Sequence, residues 1–382
     1  MKIEPIDSQG VIDVARVPVL DAIRGMAVLA VVIWHYAGVD FYRTGMATVS
    51  WYAQLCSLLW CGVTLFFVLS GFLIGGILLD NANASNRTSV FYMRRACRIL
   101  PLYILVLISF SISRIVQPSI VSIAPGLFHP PLPDWSYWSF TQNFVMVLNK
   151  TMGGHWLAVT WSLAVEEHFY VVLPLLVWIG SSQRKAIVII TITAIISAPL
   201  LRCFWPGGYV LMPWHGDALF GGFLIAFATR TPDWLRWLKC IRVGYYAASV
   251  GLLLVLAWVL ARRGASMGDW LLQNCFSSAF IILLASIVAH PSGWLTKIMS
   301  VRSFVWIGQI SYGIYLFHEI VSRIIFGLAT GATPNCNTNG HTVLSVISLA
   351  ATIALAQIAF TYIEMPFIRI GKSFRYNRSA IS

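Results

Sequence analysis

Three residues near the start of the chain have the types and the spacing to act together. Asp21, Arg24 and His35 are separated by three and eleven residues. At about 100° per residue, an eleven-residue step returns to within about 20° of where it began, so all three fall on one helical face. With a rise of about 1.5 Å per residue, Arg24 and His35 lie roughly 16 Å apart along that face. An imidazole, with an ordinary pKa of about 6.5, can give or take a proton near neutral pH. A second set, Arg94, Arg95 and Arg98, has three- and four-residue spacings and is expected to converge on one helical surface. Guanidiniums stay charged and grip phosphate bidentately, which suits an anionic, phosphate-rich ligand such as a nucleotide-containing cofactor. The plainer alternatives are an Asp21–Arg24 capping pair with His35 reaching the headgroups, and arginines that only anchor the chain to lipid.

A third group occupies residues 161–170, WSLAVEEHFY, where Glu166, Glu167 and His168 interrupt an apolar run. Adjacent helical residues point about 100° apart, so at most one of the two glutamates faces any shared cavity and the other needs its own partner. Pairing of a glutamate with an arginine inside another span is the alternative. Farther along, Ser311, Tyr315 and His318 fall at i, i+4 and i+7, with Tyr312 and Glu319 beside them. An ionisable group at the centre of a membrane costs on the order of 2.5–3.5 kcal/mol, so polar stripes on three helices imply a shared polar cavity.

These stripes need long apolar helices to carry them, and the composition supplies them. The chain has 382 residues, 58% hydrophobic and 10% charged. A soluble domain carries about a quarter charged residues, so the apolar excess must face lipid and a soluble enzyme is excluded. The expected fold is all-α, a polytopic transmembrane bundle of about ten spans. They are placed at 20–39, 57–79, 99–116, 159–179, 186–204, 214–228, 243–260, 271–289, 304–328 and 343–362. The organisation expected is an N-terminal tail over 1–19, a membrane domain over 20–366 and a basic tail over 367–382. The first eighteen or so residues, with Glu4, Asp7 and Asp13, are too acidic for a cleaved signal peptide.

The formal charge of +12 is distributed as topology. Of the Lys and Arg outside the spans, only Arg43, Lys150, Arg262 and Arg263 fall on one side; the rest flank the spans on the other, so both termini are expected in the cytoplasm. No contiguous basic face is left for nucleic acid, and no nucleic-acid partner is expected. The seven cysteines have no CxxC or Cys/His ligand spacing, so neither a disulfide framework nor a metal is expected. Pro125, Pro130, Pro131 and Pro133 break the longest non-apolar segment, 117–160, whose Trp135, Tyr137, Trp138 and Trp156 suit either the membrane interface or stacking against a sugar.

Six motifs in order resemble the integral-membrane acyltransferase family three, which includes bacterial O-acetyltransferases of lipopolysaccharide, exopolysaccharide and nodulation factors. They are LDAIRG at 20–25 leading to Trp34 and His35, FFVLSGFLI at 66–74, Arg95 and Arg98 with Pro101, WSLAVEEHFY at 161–170, ISYGIYLFH at 310–318 and Glu364, Met365 and Pro366. The resemblance implies transfer of an acyl group, usually acetyl from cytoplasmic acetyl-CoA, to a hydroxyl of a carbohydrate or lipid-linked glycan. It makes His35 the catalytic histidine, Arg24 its companion, and Arg95 and Arg98, with the adjoining Arg94, the acyl-CoA site. Asp21, Trp161 and Ser162 are assigned to the substrate, as are Glu166, Glu167, Tyr315 and His318. The family's usual residue after the paired glutamates is Gln, where this chain has His168. Many members append a soluble hydrolase-like domain, whereas about sixteen residues follow Pro366 here, so a stand-alone membrane domain is expected.

Direct attack on the thioester with His35 as base and an acyl-histidine relay both fit these residues, as does acetyl or another acyl donor. The 16 Å offset makes Arg24 a better CoA contact than an oxyanion donor unless the helix kinks. The localisation expected is the cell's inner or plasma membrane, with lipids as partners and the oligomeric state, homodimer included, left open. The competing classes are a proton-coupled exporter of a glycan or small molecule and a transmembrane scaffold.

Overall fold

A computed structural model describes residues 18–39, 50–115, 124, 126–180, 184–265, 269–336 and 338–377, and among them it forms helices and no strand. The N-terminal tail up to residue 17, Arg43 and the last five residues lie outside the described residues. In chain order the helices are α1 (Pro18–Ile33), α2 (Trp51–Cys56), α3 (Gly62–Asp80), α4 (Arg87–Ile115), α5 (Asp134–Trp138), α6 (Gln142–Asn149), α7 (Trp161–Gly180), α8 (Arg184–Phe204) and α9 (Gly216–Ala228). They continue with α10 (Pro232–Cys240), α11 (Val243–Arg262), α12 (Trp270–Ala289), α13 (Trp294–Met299), α14 (Arg302–Gln309), α15 (Ser311–Thr330), α16 (Asn339–Ala359) and α17 (Met365–Ser373). Wide π-turns extend α1 over Trp34–Gly38 and join α16 to α17 over Phe360–Glu364.

Eight stretches of described helix are long and apolar enough to cross a membrane: Pro18–Gly38, Trp51–Asp80, Arg87–Ile115, Lys185–Phe204, Val243–Arg262, Trp270–Ala289, Ser311–Thr330 and Asn339–Ser373. The two other expected spans are helices as well. Helix α7 has 20 residues and carries the glutamate pair, while α9 has only 13. Thirteen residues reach about 20 Å, short of a hydrocarbon layer of about 30 Å. Eleven of the thirteen are buried, so α9 is apolar because it packs inside protein. The expected span at 304–328 is divided at Ile310 into α14 and α15, and the last helix runs past Pro366 to Ser373.

Helix α3 is the hub, packed on α1, α7, α9 and α12. A Cβ on Gly222 of α9 would meet the Val68 carbonyl, and one on Gly71 of α3 would meet the Leu219 carbonyl, so glycines let these two backbones touch. Gly25 and Gly308 do the same between α1 and α14. At the periphery, α8 exposes Ile189, Ile192, Ile196 and Leu200, an i, i+3, i+7, i+11 stripe that suits lipid. A buried clamp ties α8, α9 and α12 together: the Arg202 guanidinium donates to both oxygens of Asp217 and to Asn274. Segment 126–160 folds over one end of the bundle, braced within itself by Gln142 donating to the Thr160 carbonyl and held there by Asn143 donating to those of Trp161 and Val210. Within it Tyr137 and Trp156 are buried, whereas Trp135 and Trp138 are exposed.

Candidate active site

Helices α1, α3, α4, α7 and α15 enclose an open pocket of about 880 Å³, part of it continuous with solvent. At one end it is lined by Arg24, Arg95 and Arg98; along its length by Ser70, Glu166, Tyr170 and Tyr312; at the other end by Val63, Phe66, Ser162 and Tyr315. Arg24 is held by Asp21 at 3.0 Å. Arg95 and Arg98 sit three residues apart on α4 and make no hydrogen bond or ion pair with any described residue. The carboxylates of the buried Glu364 and of Glu166 act on Arg98 and Arg95 without bonding to them, so both guanidiniums keep their N–H donors free beside an open space, the arrangement that binds phosphates. Glu166 accepts from Tyr170 at 2.7 Å, and Tyr170 shares a hydrogen bond with Ser70 at 3.1 Å, so the pocket's one lining carboxylate is already engaged.

One helical turn beyond the pocket's far end lies a cluster of imidazoles. His35 is the second residue of the π-turn that follows α1, a wide turn of the kind often found at functional sites. Its Nδ1 lies 2.8 Å from the Val31 carbonyl and 3.3 Å from His318 Nε2. A carbonyl only accepts, so Nδ1 carries the proton and Nε2 keeps its lone pair. His318 is fully buried, and its Nδ1 is fixed in the same way by the Tyr315 carbonyl at 2.8 Å. His35 Nε2 faces Glu319 Oε1 at 4.0 Å. The other oxygen of Glu319 takes Arg323 at 2.9 Å and His155, from the overlying segment, at 3.4 Å. The arrangement gives a base with a free lone pair, in a fixed tautomer, beside a carboxylate able to stabilise the imidazolium that forms. His35, His318 and Glu319 offer three ligand atoms within 4.8 Å of one another, a spacing that could hold a cation; Arg323 already compensates the carboxylate that a cation would use.

Residues 17–361 match the family model described as an acyltransferase domain. The chain belongs to this acyltransferase family. Its similarity to the peptidoglycan O-acetyltransferase OatA of Listeria monocytogenes is 26% identity over 94% of this chain and 58% of that protein. The putative peptidoglycan O-acetyltransferase YrhL of Bacillus subtilis is 26% identical over 92% of this chain and 54% of its own length. A putative O-acetyltransferase of Staphylococcus aureus strain COL is 27% identical over 93% and 58%. The chain thus spans between half and three-fifths of the length of the curated relatives it matches. No solved structure matches it. With several apolar helices in a membrane acyltransferase family, it is a multi-pass membrane protein.

Among the residues that the family resemblance singles out, the structure brings Arg24, Arg95, Arg98, Ser162, Glu166 and Tyr315 to one pocket, with His35 and His318 just beyond it. Arg94 departs from the expected convergence. Pointing about 100° away from Arg95 on α4, it donates twice to the Phe374 carbonyl and lies over the Tyr376 ring, and Arg24 supplies the third guanidinium of the pocket instead. Trp161 also stays out of the pocket, buried among Phe67, Tyr209 and His215. Asp21 reaches the site only through Arg24. Glu166 lines the pocket and Glu167 does not, as the 100° separation requires. His168 turns the other way, its Nε2 bonded to the Phe140 carbonyl at 2.9 Å, so it meets the overlying segment.

Among the members of the imidazole cluster, sequence reasoning named Glu319 only as a neighbour of the polar stripe and gave no role to it, to Arg323 or to His155. Two of them left a trace, because Glu319 and Arg323 are an i, i+4 ion pair inside an apolar helix, next to His318. His155 left none, since only the folding of segment 126–160 brings it over α15.

Proposed function

We propose that this chain is an integral-membrane O-acetyltransferase that takes the acetyl group from cytoplasmic acetyl-CoA and places it on a hydroxyl of a carbohydrate acceptor. The observation that carries the reading is the pocket that starts at three guanidiniums and ends one helical turn short of His35 and His318. Arg24, Arg95 and Arg98 hold the phosphates of the donor, and the thioester lies toward Tyr315. The acceptor enters from the side of segment 126–160, where His155 is 43% exposed. His35 Nε2 takes the hydroxyl proton, and Glu319 stabilises the resulting imidazolium. The Lys and Arg asymmetry puts the arginine end and both termini in the cytoplasm, and the membrane is the cell's inner or plasma membrane. A carbohydrate acceptor is supported by relatives whose names place their acetyl group on peptidoglycan.

Membranes carrying the protein, given radiolabelled acetyl-CoA and cell-wall or surface glycan, should yield alkali-labile labelled ester. His35→Ala, at equal membrane abundance, should reduce the rate by at least about 1000-fold, the loss of a general base together with the geometry it enforces. Full transfer by His35→Ala overturns the base assignment. Label that appears on glycan only when some donor other than an acyl-CoA is supplied overturns the donor.

A further inference from the structure

Between the pocket and the imidazoles stands a hydrogen-bonded pair of hydroxyls. Tyr315 lines the pocket, and its ring centroid lies 5.8 Å from that of His318 one turn along α15. The Tyr315 hydroxyl is 2.8 Å from the Val159 carbonyl and 2.6 Å from Ser162 Oγ. Both hydroxyls reach that carbonyl, Tyr315 at 2.8 Å and Ser162 at only 3.5 Å; the shorter contact takes the phenol proton, which leaves the Ser162 hydroxyl to donate to the phenol oxygen. A donor that is itself receiving a hydrogen bond is polarised and becomes a stronger donor. Of the other hydroxyls lining the pocket, Ser70 donates to Tyr170, Tyr170 to Glu166, Tyr312 to the Ile99 carbonyl and Ser311 to the Gly308 carbonyl; Tyr315 differs from them in standing one turn from His318. Around Tyr315 and Ser162 the lining is apolar, with Val63, Phe66 and Leu163, so little water competes there.

We infer that the Tyr315 hydroxyl, braced by Ser162, binds the oxygen of the acyl thioester and stabilises the oxyanion of the tetrahedral adduct. This rests on the proposed acetyl transfer and adds a catalytic residue to it. The acceptor oxygen forms a bond to the carbonyl carbon while His35 Nε2 takes its proton, and the carbonyl π pair moves onto oxygen. Tyr315 turns its proton from the Val159 carbonyl to that oxygen, a rotation about one C–O bond. Collapse of the adduct breaks the carbon–sulfur bond, and the CoA thiolate recovers the proton from the imidazolium. The products are the ester and CoA thiol. Arg24, about 16 Å from His35 along α1, is left to the phosphates. Ser162 is a positioning residue, acting only through the phenol.

Steady-state kinetics on membranes, with acetyl-CoA varied, test the assignment. Tyr315→Phe should lower kcat about 100-fold, the loss of one preorganised oxyanion donor, with KM for acetyl-CoA changed less than about threefold. Ser162→Ala should lower kcat about tenfold and Ser162→Thr should restore most of it; in the Tyr315→Phe background Ser162→Ala should cost nothing further. The trifluoroacetonyl thioether of CoA, whose hydrated ketone is tetrahedral, should bind wild type about 100-fold more tightly than Tyr315→Phe, while CoA itself binds both alike.

The inference is overturned if Tyr315→Phe keeps more than a third of wild-type kcat, if its loss lies wholly in KM, or if both forms bind the ketone equally. Should Tyr315→Phe fail to accumulate, Ser162→Ala decides, and wild-type kcat there overturns it. Wild-type activity that His35→Ala abolishes upholds the underlying reading whatever Tyr315 does. Wild-type membranes with no acetyl-CoA-dependent transfer overturn both.

Discussion

At the arginine end of the pocket, the guanidiniums of Arg95 and Arg98 make no hydrogen bond or ion pair with a described residue. At the imidazole end, the Glu319 carboxylate is held by Arg323 and His155, His35 is fixed by Val31 and His318, and His318 is fixed in turn by Tyr315. One end is an unfilled set of cations and the other a filled network. Charges left without partners beside an open space are completed by a ligand, so that end is built for binding. Groups that already satisfy one another hold their geometry before a substrate arrives, which suits proton transfer. The difference assigns expected kinetic signatures: changes at the arginine end should move KM, and changes at the imidazole end should move kcat.

The largest effect expected within this comparison is at Glu319. Glu319→Gln keeps the shape and removes the charge that stabilises a protonated His35, and it leaves the half-buried Arg323 without its counter-ion. We expect kcat to fall about 100-fold, or about 2.7 kcal/mol of barrier, with KM for acetyl-CoA unchanged. Pairing it with Arg323→Gln, which removes the stranded cation as well, should recover abundance in the membrane without recovering kcat. Recovery of both would make Glu319 a structural ion-pair partner and nothing more.

Arg95→Ala and Arg98→Ala should each raise KM for acetyl-CoA about 10- to 30-fold, the scale of one lost charge-assisted phosphate contact, with kcat at saturation within about twofold. Lysine should restore only part of the affinity at either position, because it cannot present two parallel donors. A donor lacking the 3′-phosphate of CoA should narrow the difference between wild type and whichever variant has lost the contact to that group. If either alanine variant instead depresses kcat with KM unchanged, the two ends are not separate in function.

Much of the bundle was legible from the chain because a membrane helix is specified by composition over about twenty residues, and lipid demands little more. Where protein rather than lipid provides the apolar surroundings, the same signal overreads length. Helix α9, apolar yet only 13 residues, is the example. Helical phase was equally legible within one element: Glu166 faces the pocket and Glu167 does not, and Ser311, Tyr315 and His318 share a side of α15. Contacts between distant segments were not. His155 meets Glu319 because segment 126–160 is pinned over the bundle by Asn143, and no spacing within the chain encodes that. The partner of Arg94 was hidden for the same reason, since the Phe374 carbonyl is 280 residues away.

Arg94 supplies the smallest effect and the sharpest control. It carries the same charge as Arg95, one residue away on the same helix, but its Nε and one Nη are spent on the Phe374 carbonyl, at 3.0 and 2.7 Å, and its guanidinium covers the Tyr376 ring at 4.9 Å. If proximity of positive charge were what held the donor, Arg94→Ala and Arg95→Ala would raise KM alike. If an unpaired guanidinium facing the pocket is what counts, Arg94→Ala should leave KM for acetyl-CoA within about twofold of wild type. It should instead loosen the segment beyond α17, which trypsin added to membranes would report as faster cleavage after Arg375. An unchanged cleavage rate with a raised KM would put Arg94 back among the ligands of the donor and erase the distinction between adjacent arginines on α4.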